Sequence, residues 1–257
     1  MDEIRDTLER LYNSFNFETA IQKDPIRFPK RYREPLDIEI AGIISSSFAY
    51  GSIQCFCNFL EGLFNIMGEH PSEFILDFQP SYILKKFSIK YRFSDVDDIV
   101  AYLFIIQKLL KNSPSNSLEY YFQGENTILK ISNFVKWACT VNLTPVYGKN
   151  IKSPGLLHLL PDPLKGSPCK RINLFVRWMV RNQDIDFGLW KSIKPSELII
   201  PLDVHVLRVS KRIGLTQKSS QSMKTALEIT EKLKRINPTD PLKYDFVLCH
   251  GDINKLI

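Results

Sequence analysis

The 257-residue sequence contains no run of about 18 uninterrupted apolar residues, so it predicts no transmembrane helix. Its first residues, MDEIRDTLERLYNSF, lack the basic-then-apolar order of a secretory signal peptide and indicate an amphipathic helix instead. We therefore expect a cytoplasmic protein with no membrane partner. Apolar residues make up 44% of the chain and aromatic residues 12%, which excludes disorder and allows a sizeable core.

Cysteine is scarce, and its spacing excludes the common cysteine-based sites. The five cysteines include no CxxC pair, and Cys55 and Cys57 lie two residues apart in a helical pattern, where their side chains diverge. An odd number of cysteines in a cytoplasmic protein favours reduced thiols. His205 has no second ligand at helical spacing and is interpreted as structural. We expect no metal site.

Strand-like alternation is nearly absent, which leaves helices as the regular structure. Apolar residues recur at i, i+3 and i+4 along most of the chain. Only residues 87–93, FSIKYRF, could form a strand, and Gly51 indicates a break within the longest helical pattern. An all-α fold follows, as a single unit over 1–257 with two helical lobes. The predicted helices span 2–15, 37–68, 72–79, 95–111, 126–141, 169–183, 203–213 and 220–236.

Acidic residues are under-represented in the C-terminal part of the chain. Residues 143–257 hold 19 Lys and Arg against 10 Asp and Glu, whereas residues 1–142 hold 15 against 18. This bias is compatible with a polyanionic partner such as nucleic acid, although most such biases reflect only a solvated surface.

Two short stretches of the basic part carry candidate chemistry. Residues 161–180, PDPLKGSPCKRINLFVRWMV, pass abruptly from a segment broken by Gly and Pro to a helix that opens on Cys169, Lys170 and Arg171. Positive charge is unfavourable there, because the N-terminus of a helix is already positive. Residues 199–209, IIPLDVHVLRV, place Asp203 where it can cap a helix, worth about 1 kcal/mol. Taken singly, an exposed lysine and a structural cap explain both residues.

Taken together, GSPCKRIN at 166–173 and PLDVHVLRV at 201–209 resemble the helix-hairpin-helix DNA glycosylase superfamily, which contains endonuclease III and the 8-oxoguanine glycosylases. In its bifunctional members a G-x-G-x-K hairpin precedes a helix, and a segment like P-V-D-x-H-V follows. The resemblance implies a two-lobed glycosylase fold, with the helix-hairpin-helix region at about 156–183 and the aspartate segment at 199–213. It also implies that Lys170 is the nucleophile and Asp203 the catalytic aspartate.

The resemblance further implies that the hairpin contacts DNA. The backbone over 165–169 would lie against the phosphates, a contact that is independent of DNA sequence. Pro168 stands where the second glycine is usual and supplies no backbone N–H. The predicted DNA-binding residues are Lys165, Gly166, Ser167, Cys169 and Arg171.

Two differences from endonuclease III bear on cofactor and lesion. The four-cysteine iron–sulfur loop is missing, because only Cys249 lies beyond Cys169, so no cluster and no other cofactor is expected. Asp203 lies 33 residues after Lys170, and this separation is similar to the longer connection of archaeal 8-oxoguanine glycosylases. The stretch GSPCKR through NLFVRWMVR to PLDVH is also similar to a poorly characterised bacterial branch. The expected partner is double-stranded DNA that contains a damaged base, bound by a monomer in the cytoplasm or on the nucleoid.

The resulting hypothesis is a bifunctional DNA glycosylase and AP lyase for an oxidised purine, with 8-oxoguanine favoured. Since only a neutral amine attacks, we expect the helix macrodipole, Arg171 and partial burial to lower the pKa of Lys170. Two alternatives stay open. One is a monofunctional glycosylase for alkylated bases, in which Asp203 activates water and Lys170 contacts phosphate. The other is a non-catalytic helix-hairpin-helix DNA-binding module.

Overall fold

The structure is a computed structural model that describes residues 2–86 and 90–255. Regular structure in these residues is helical apart from one antiparallel bridge between Tyr91 and Ser94. The all-α prediction is therefore confirmed. Of the segment 87–93 that could have formed a strand, residues 87–89 lie outside the described residues, and residues 90–93 contribute only to this bridge.

The described residues form fourteen α-helices in two compact units. The inserted unit, Pro25–Asp162, holds α3–α10, and the terminal unit, Met1–Asp24 with Pro163–Ile257, holds α1, α2 and α11–α14. Within the described part of the chain, every helix is too short or too polar to cross a membrane. The helices are α1 Asp2–Ser14, α2 Phe17–Ile21, α3 Pro35–Ser47, α4 Ile53–Met67, α5 Pro71–Asp77, α6 Pro80–Lys86, α7 Val96–Asn112, α8 Thr127–Thr140, α9 Thr144–Tyr147, α10 Pro154–Leu159, α11 Lys170–Val180, α12 Val204–Arg212, α13 Met223–Ile236 and α14 Asp245–Ile253.

The inserted unit is built around α7, which is buried along most of its length and packs against α5, α6, α9 and α10. In its first turn the Asp98 side chain accepts the backbone N–H of Asp95 at 3.0 Å, a contact typical of a capping box. The start of the helix that the sequence predicts over 95–111 is confirmed.

The predicted break within 37–68 is also present. α3 ends at Ser47 and α4 begins at Ile53. Between them Gly51 has φ +90°, a left-handed value that favours glycine. The Ser52 hydroxyl then accepts the N–H of Cys55 at 3.3 Å and caps α4.

In the terminal unit, α11 is shorter than the predicted 169–183. It begins after Cys169, because that residue has φ +46°, outside helical geometry. It ends at Val180, because Arg181 adopts extended backbone. Three of its side chains are fully buried and form core: Phe175, Trp178 and Met179.

Two other helices of the terminal unit lie side by side. α12 directly follows Asp203, which the sequence predicts as its N-cap, and packs along α14. Asp203, at the start of α12, and Cys249, on α14, form the candidate site with Lys170.

Candidate active site

The hairpin before α11 is held by its own hydrogen bonds. Gly166 has φ +85°, its N–H donates to the carbonyl of Pro163 at 3.0 Å, and its carbonyl accepts the N–H of Met223 at 3.2 Å. The N–H of Cys169 donates to the hydroxyl of Ser167 at 3.2 Å. These contacts turn the chain so that α11 begins directly after Cys169.

The five predicted DNA-binding residues differ in exposure. Lys165 and Gly166 are exposed, and Ser167 and Arg171 are partly exposed, so all four are accessible to a ligand. Cys169 is only 1% exposed, and its N–H is already bonded within the hairpin. In this conformation Cys169 therefore offers no donor to a phosphate.

The structure brings the two predicted catalytic side chains together. Lys170 begins α11 and Asp203 caps α12, yet Nζ of Lys170 lies 3.4 Å from Oδ2 of Asp203. The side chain of Lys170 is 30% exposed and that of Asp203 is 15% exposed. The pair is largely shielded from water but still open to a bound ligand.

The two carboxylate oxygens of Asp203 make different contacts. Oδ1 accepts the N–H groups of His205 and Val206, both at 2.9 Å, as an N-cap does. Oδ2 faces Lys170. One side-chain conformation therefore caps α12 and contacts Lys170, so neither interpretation of Asp203 excludes the other.

The charge state of Lys170 differs from the expectation. Burial disfavours the ammonium, but the carboxylate of Asp203 outweighs burial and raises the pKa of Lys170 above its usual value. The prediction of a lowered pKa is wrong, because it weighed the macrodipole and Arg171 without this ion pair. Burial also disfavours the ionised form of Asp203, but the charge of Lys170 and the N–H of Val206 lower its pKa. At rest the pair is an ammonium and a carboxylate.

Two residues that no sequence pattern indicated join this pair. Sγ of Cys249, on α14, lies 3.8 Å from Oδ2 of Asp203. Burial and the charge of Asp203 raise the pKa of the Cys249 thiol well above its usual value, so the S–H donates to this oxygen. Asp24 adds a second negative charge near Lys170 and lies 2.9 Å from Nε2 of His250.

A buried charge cluster holds the connection that follows α11. The side chain of Asp186 is fully buried, lies 2.9 Å from Arg177 and also contacts Arg181. Arg181 in turn lies 2.8 Å from Asp240. From the sequence, Asp186 is only part of a polar connection of unknown purpose. In the structure it anchors the C-terminal end of α11.

Asp245 connects this cluster to the candidate site. Its Oδ2 lies 2.5 Å from Nη1 of Arg177, and its Oδ1 is buried without a hydrogen-bond partner among the described residues. Burial raises the pKa of Asp245 to about 6; Arg177 opposes this shift, and the charges of Asp203 and Asp186 add to it. Asp245 lies one turn before Cys249, so both side chains share a face of α14.

Comparison with known proteins places this sequence in a family. A family model described as "Protein of unknown function (DUF2400)" matches residues 24–254, which is most of the chain. This chain belongs to the DUF2400 family. No curated protein matches the sequence, and no solved structure matches it.

In this DUF2400 protein the matched span contains the whole candidate site, from Asp24 to Cys249. Across residues 2–86 and 90–255, no group of three or more His, Cys, Asp and Glu is arranged to hold a metal ion. The site offers a shielded amine, a carboxylate 3.4 Å from it and a protonated thiol. Such a set can supply a nucleophile and stabilise positive charge that develops beside it.

Proposed function

We propose that this protein is a bifunctional DNA glycosylase and AP lyase that removes an oxidised purine, with 8-oxoguanine favoured, in base excision repair. Lys170 is the nucleophile, Asp203 is the catalytic carboxylate, and the chain adopts a two-lobed helix-hairpin-helix glycosylase fold. The observation that carries the proposal is the 3.4 Å distance between Lys170 Nζ and Asp203 Oδ2. The resemblance singles out these two residues, and nothing else in the sequence requires them to meet.

A lysine that is paired at the start of a helix suits a nucleophile better than a structural role. The helix macrodipole and partial burial both disfavour a cation at this position, so these two effects alone would lower the stability of the fold. The carboxylate of Asp203 compensates for this cost at rest. When a substrate separates or screens the pair, the same environment favours the neutral amine that attack requires.

The reaction requires proton transfer at the start. Attack on C1′ of the deoxyribose requires a neutral amine, whereas at rest Lys170 carries the proton. The departing base takes the electron pair of its bond to C1′ and must gain a proton. Transfer of one Lys170 proton to the departing base, directly or through water, balances both steps. The carboxylate of Asp203 stabilises the positive charge that develops on the sugar.

Strand cleavage follows from the covalent intermediate. The bond between C1′ and the ring oxygen breaks, the oxygen takes a proton, and the nitrogen of Lys170 forms an imine with C1′. Loss of a proton from C2′ then expels the phosphate at C3′ and cuts the strand. Hydrolysis of the imine returns the lysine, so the cycle needs no cofactor.

DNA is the proposed partner, bound by a monomer in the cytoplasm or on the nucleoid. The basic balance over residues 143–257 supports a polyanionic ligand. Lys165 and Arg171, which flank the hairpin and are accessible, are the proposed phosphate contacts beside Lys170. The backbone of Gly166 lies exposed between them.

Borohydride trapping on defined duplexes tests the proposal. Duplexes that carry 8-oxoguanine, thymine glycol, uracil or 3-methyladenine would be compared under single-turnover conditions, with Lys224→Gln as an exposed-lysine control for Lys170→Gln. We expect covalent trapping and nicking with 8-oxoguanine, lost in Lys170→Gln and kept in Lys224→Gln.

Other outcomes identify the alternatives. Preferential cleavage of thymine glycol would move the specificity to oxidised pyrimidines. Release of 3-methyladenine without nicking would favour the monofunctional enzyme, in which Asp203 activates water. Binding of every duplex without base release would favour a non-catalytic DNA-binding module.

A further inference from the structure

A buried carboxylate organises one face of α12. Asp252, on α14, has a side chain that is only 2% exposed. It lies 2.8 Å from Nδ1 of His205, 2.5 Å from Nη1 of Arg208 and 3.4 Å from Nη1 of Arg212. These three residues follow one another at helical spacings of three and four, so they lie on the same face.

The two arginines are exposed enough to meet another anion. Each arginine contacts Asp252 through Nη1, and each side chain remains about half exposed, 51% for Arg208 and 50% for Arg212. A guanidinium has five N–H donors in a planar fork that suits phosphate oxygens. Asp252 thus orients both forks in advance.

The pair is continuous with the candidate site. α12 begins at the residue after Asp203, so at 1.5 Å per residue Arg208 lies about 7.5 Å along the helix axis from Asp203 and Arg212 about 13.5 Å. A strand whose nucleotide reached Lys170 and Asp203 would have its neighbouring phosphates within reach of this face.

We propose that Arg208 and Arg212 bind the phosphate backbone of the DNA strand that carries the target nucleotide. The inference rests on the proposed function, because it takes DNA as the partner. The contact is independent of sequence and of the lesion, since phosphates carry no base information. Its role is to hold the strand in register along α12 while the nucleotide enters the site.

The salt dependence of DNA binding measures these contacts directly. Fluorescence anisotropy would follow a duplex with a tetrahydrofuran abasic analogue and an undamaged duplex at several salt concentrations. Each of Arg208→Gln and Arg212→Gln should reduce the slope of log K against log salt by about 0.9 for both duplexes. If affinities converge at 1 M salt, each variant binds roughly eightfold more weakly at 0.1 M. Arg235→Gln, which removes an exposed arginine from α13, is the matched control and should leave the slope unchanged.

Asp252→Asn separates phosphate binding from a purely structural clamp between α12 and α14. This variant removes the negative charge of Asp252 and leaves both arginines, so the surface that the arginines form becomes more positive. DNA binding should stay equal or become tighter if the arginines act on phosphate. If they act only by holding the helices together, Asp252→Asn should weaken binding as much as the arginine variants do. Thermal unfolding of every variant identifies loss of fold, and the arginine variants alone decide the matter if Asp252→Asn does not fold.

Binding and trapping answer different questions. Unchanged slopes in both arginine variants, or no salt-dependent DNA binding by the wild type, would overturn the phosphate contacts of Arg208 and Arg212. If the arginine variants have smaller slopes but the wild type traps no lesion, the phosphate contacts are supported and the proposed chemistry is overturned. If the wild type traps a lesion but the slopes are unchanged, the chemistry is supported and the phosphate contacts are overturned.

Discussion

Oδ2 of Asp203 lies 3.4 Å from Nζ of Lys170 and 3.8 Å from Sγ of Cys249, while Oδ1 of the same carboxylate caps α12. One side chain therefore joins the N-termini of α11 and α12 to α14. Because each contact involves a different atom or partner, substitutions can remove the contacts one at a time.

Lys170→Gln should abolish trapping and strand cleavage while the protein still folds. The variant should be less stable near neutral pH, because Asp203 raises the pKa of Lys170 in the folded state. This stabilisation is present below the unfolded pKa of about 10.4 and is lost as pH rises through the higher folded value. Thermal unfolding of both proteins over a pH series should show a difference that shrinks only above about pH 10. A difference that is independent of pH would contradict the ion pair.

Asp203→Asn and Asp203→Ala should separate charge from capping. Asn can still accept the N–H groups of His205 and Val206 but loses the ion pair with Lys170, so it should lower the melting temperature about as much as Lys170→Gln does. Base excision should fall by about 100-fold or more without the negative charge. Ala also loses the cap and should cost about a further 1 kcal/mol of unfolding free energy. If Asn lowers the melting temperature but leaves excision intact, the aspartate is structural only.

Cys249 should be alkylated slowly, and its alkylation rate should depend on the charge of Asp203. Burial and Asp203 raise the pKa of this thiol, so iodoacetamide at pH 8 should alkylate it much more slowly than the exposed Cys55. Asp203→Asn removes a neighbouring negative charge and should accelerate alkylation of Cys249 alone. Mass spectrometry of the modified peptides measures both rates. Equal acceleration at Cys55 would indicate general opening of the protein rather than a local electrostatic effect.

Asp245 should make stability fall as pH rises through the acid range. Its folded pKa of about 6 lies above the unfolded value, so the folded state holds the proton more tightly. The contribution to unfolding free energy should therefore fall by about 3 kcal/mol between about pH 4 and pH 6 and stay constant above. Asp245→Asn should remove this dependence, and Glu231→Gln, on the exposed side of α13, serves as the control. Denaturant unfolding at a series of pH values checks it, and identical profiles for wild type and Asp245→Asn would refute it.

Much of the fold follows from local patterns, and the errors have local causes. The break near Gly51 and the start of α7 at Asp95 depend on residues a few positions apart, so spacing and capping rules predict them. The predicted end of α11 at residue 183 is wrong, because Arg181 leaves the helix and contacts Asp240, which is 59 residues away. No window of sequence contains that contact.

The sequence by itself determined the helical class, the cap of α12 at Asp203 and the choice of Lys170 and Asp203 as candidates, because periodicity, caps and motif spacing are local properties. Only the tertiary structure decided that Lys170 is an ammonium at rest and that Cys249 and Asp24 belong to its surroundings. It also decided that Asp252 orients Arg208 and Arg212. The physical reason is that charge states and ion pairs depend on distances of a few ångströms between residues far apart in the chain, and the fold alone sets those distances.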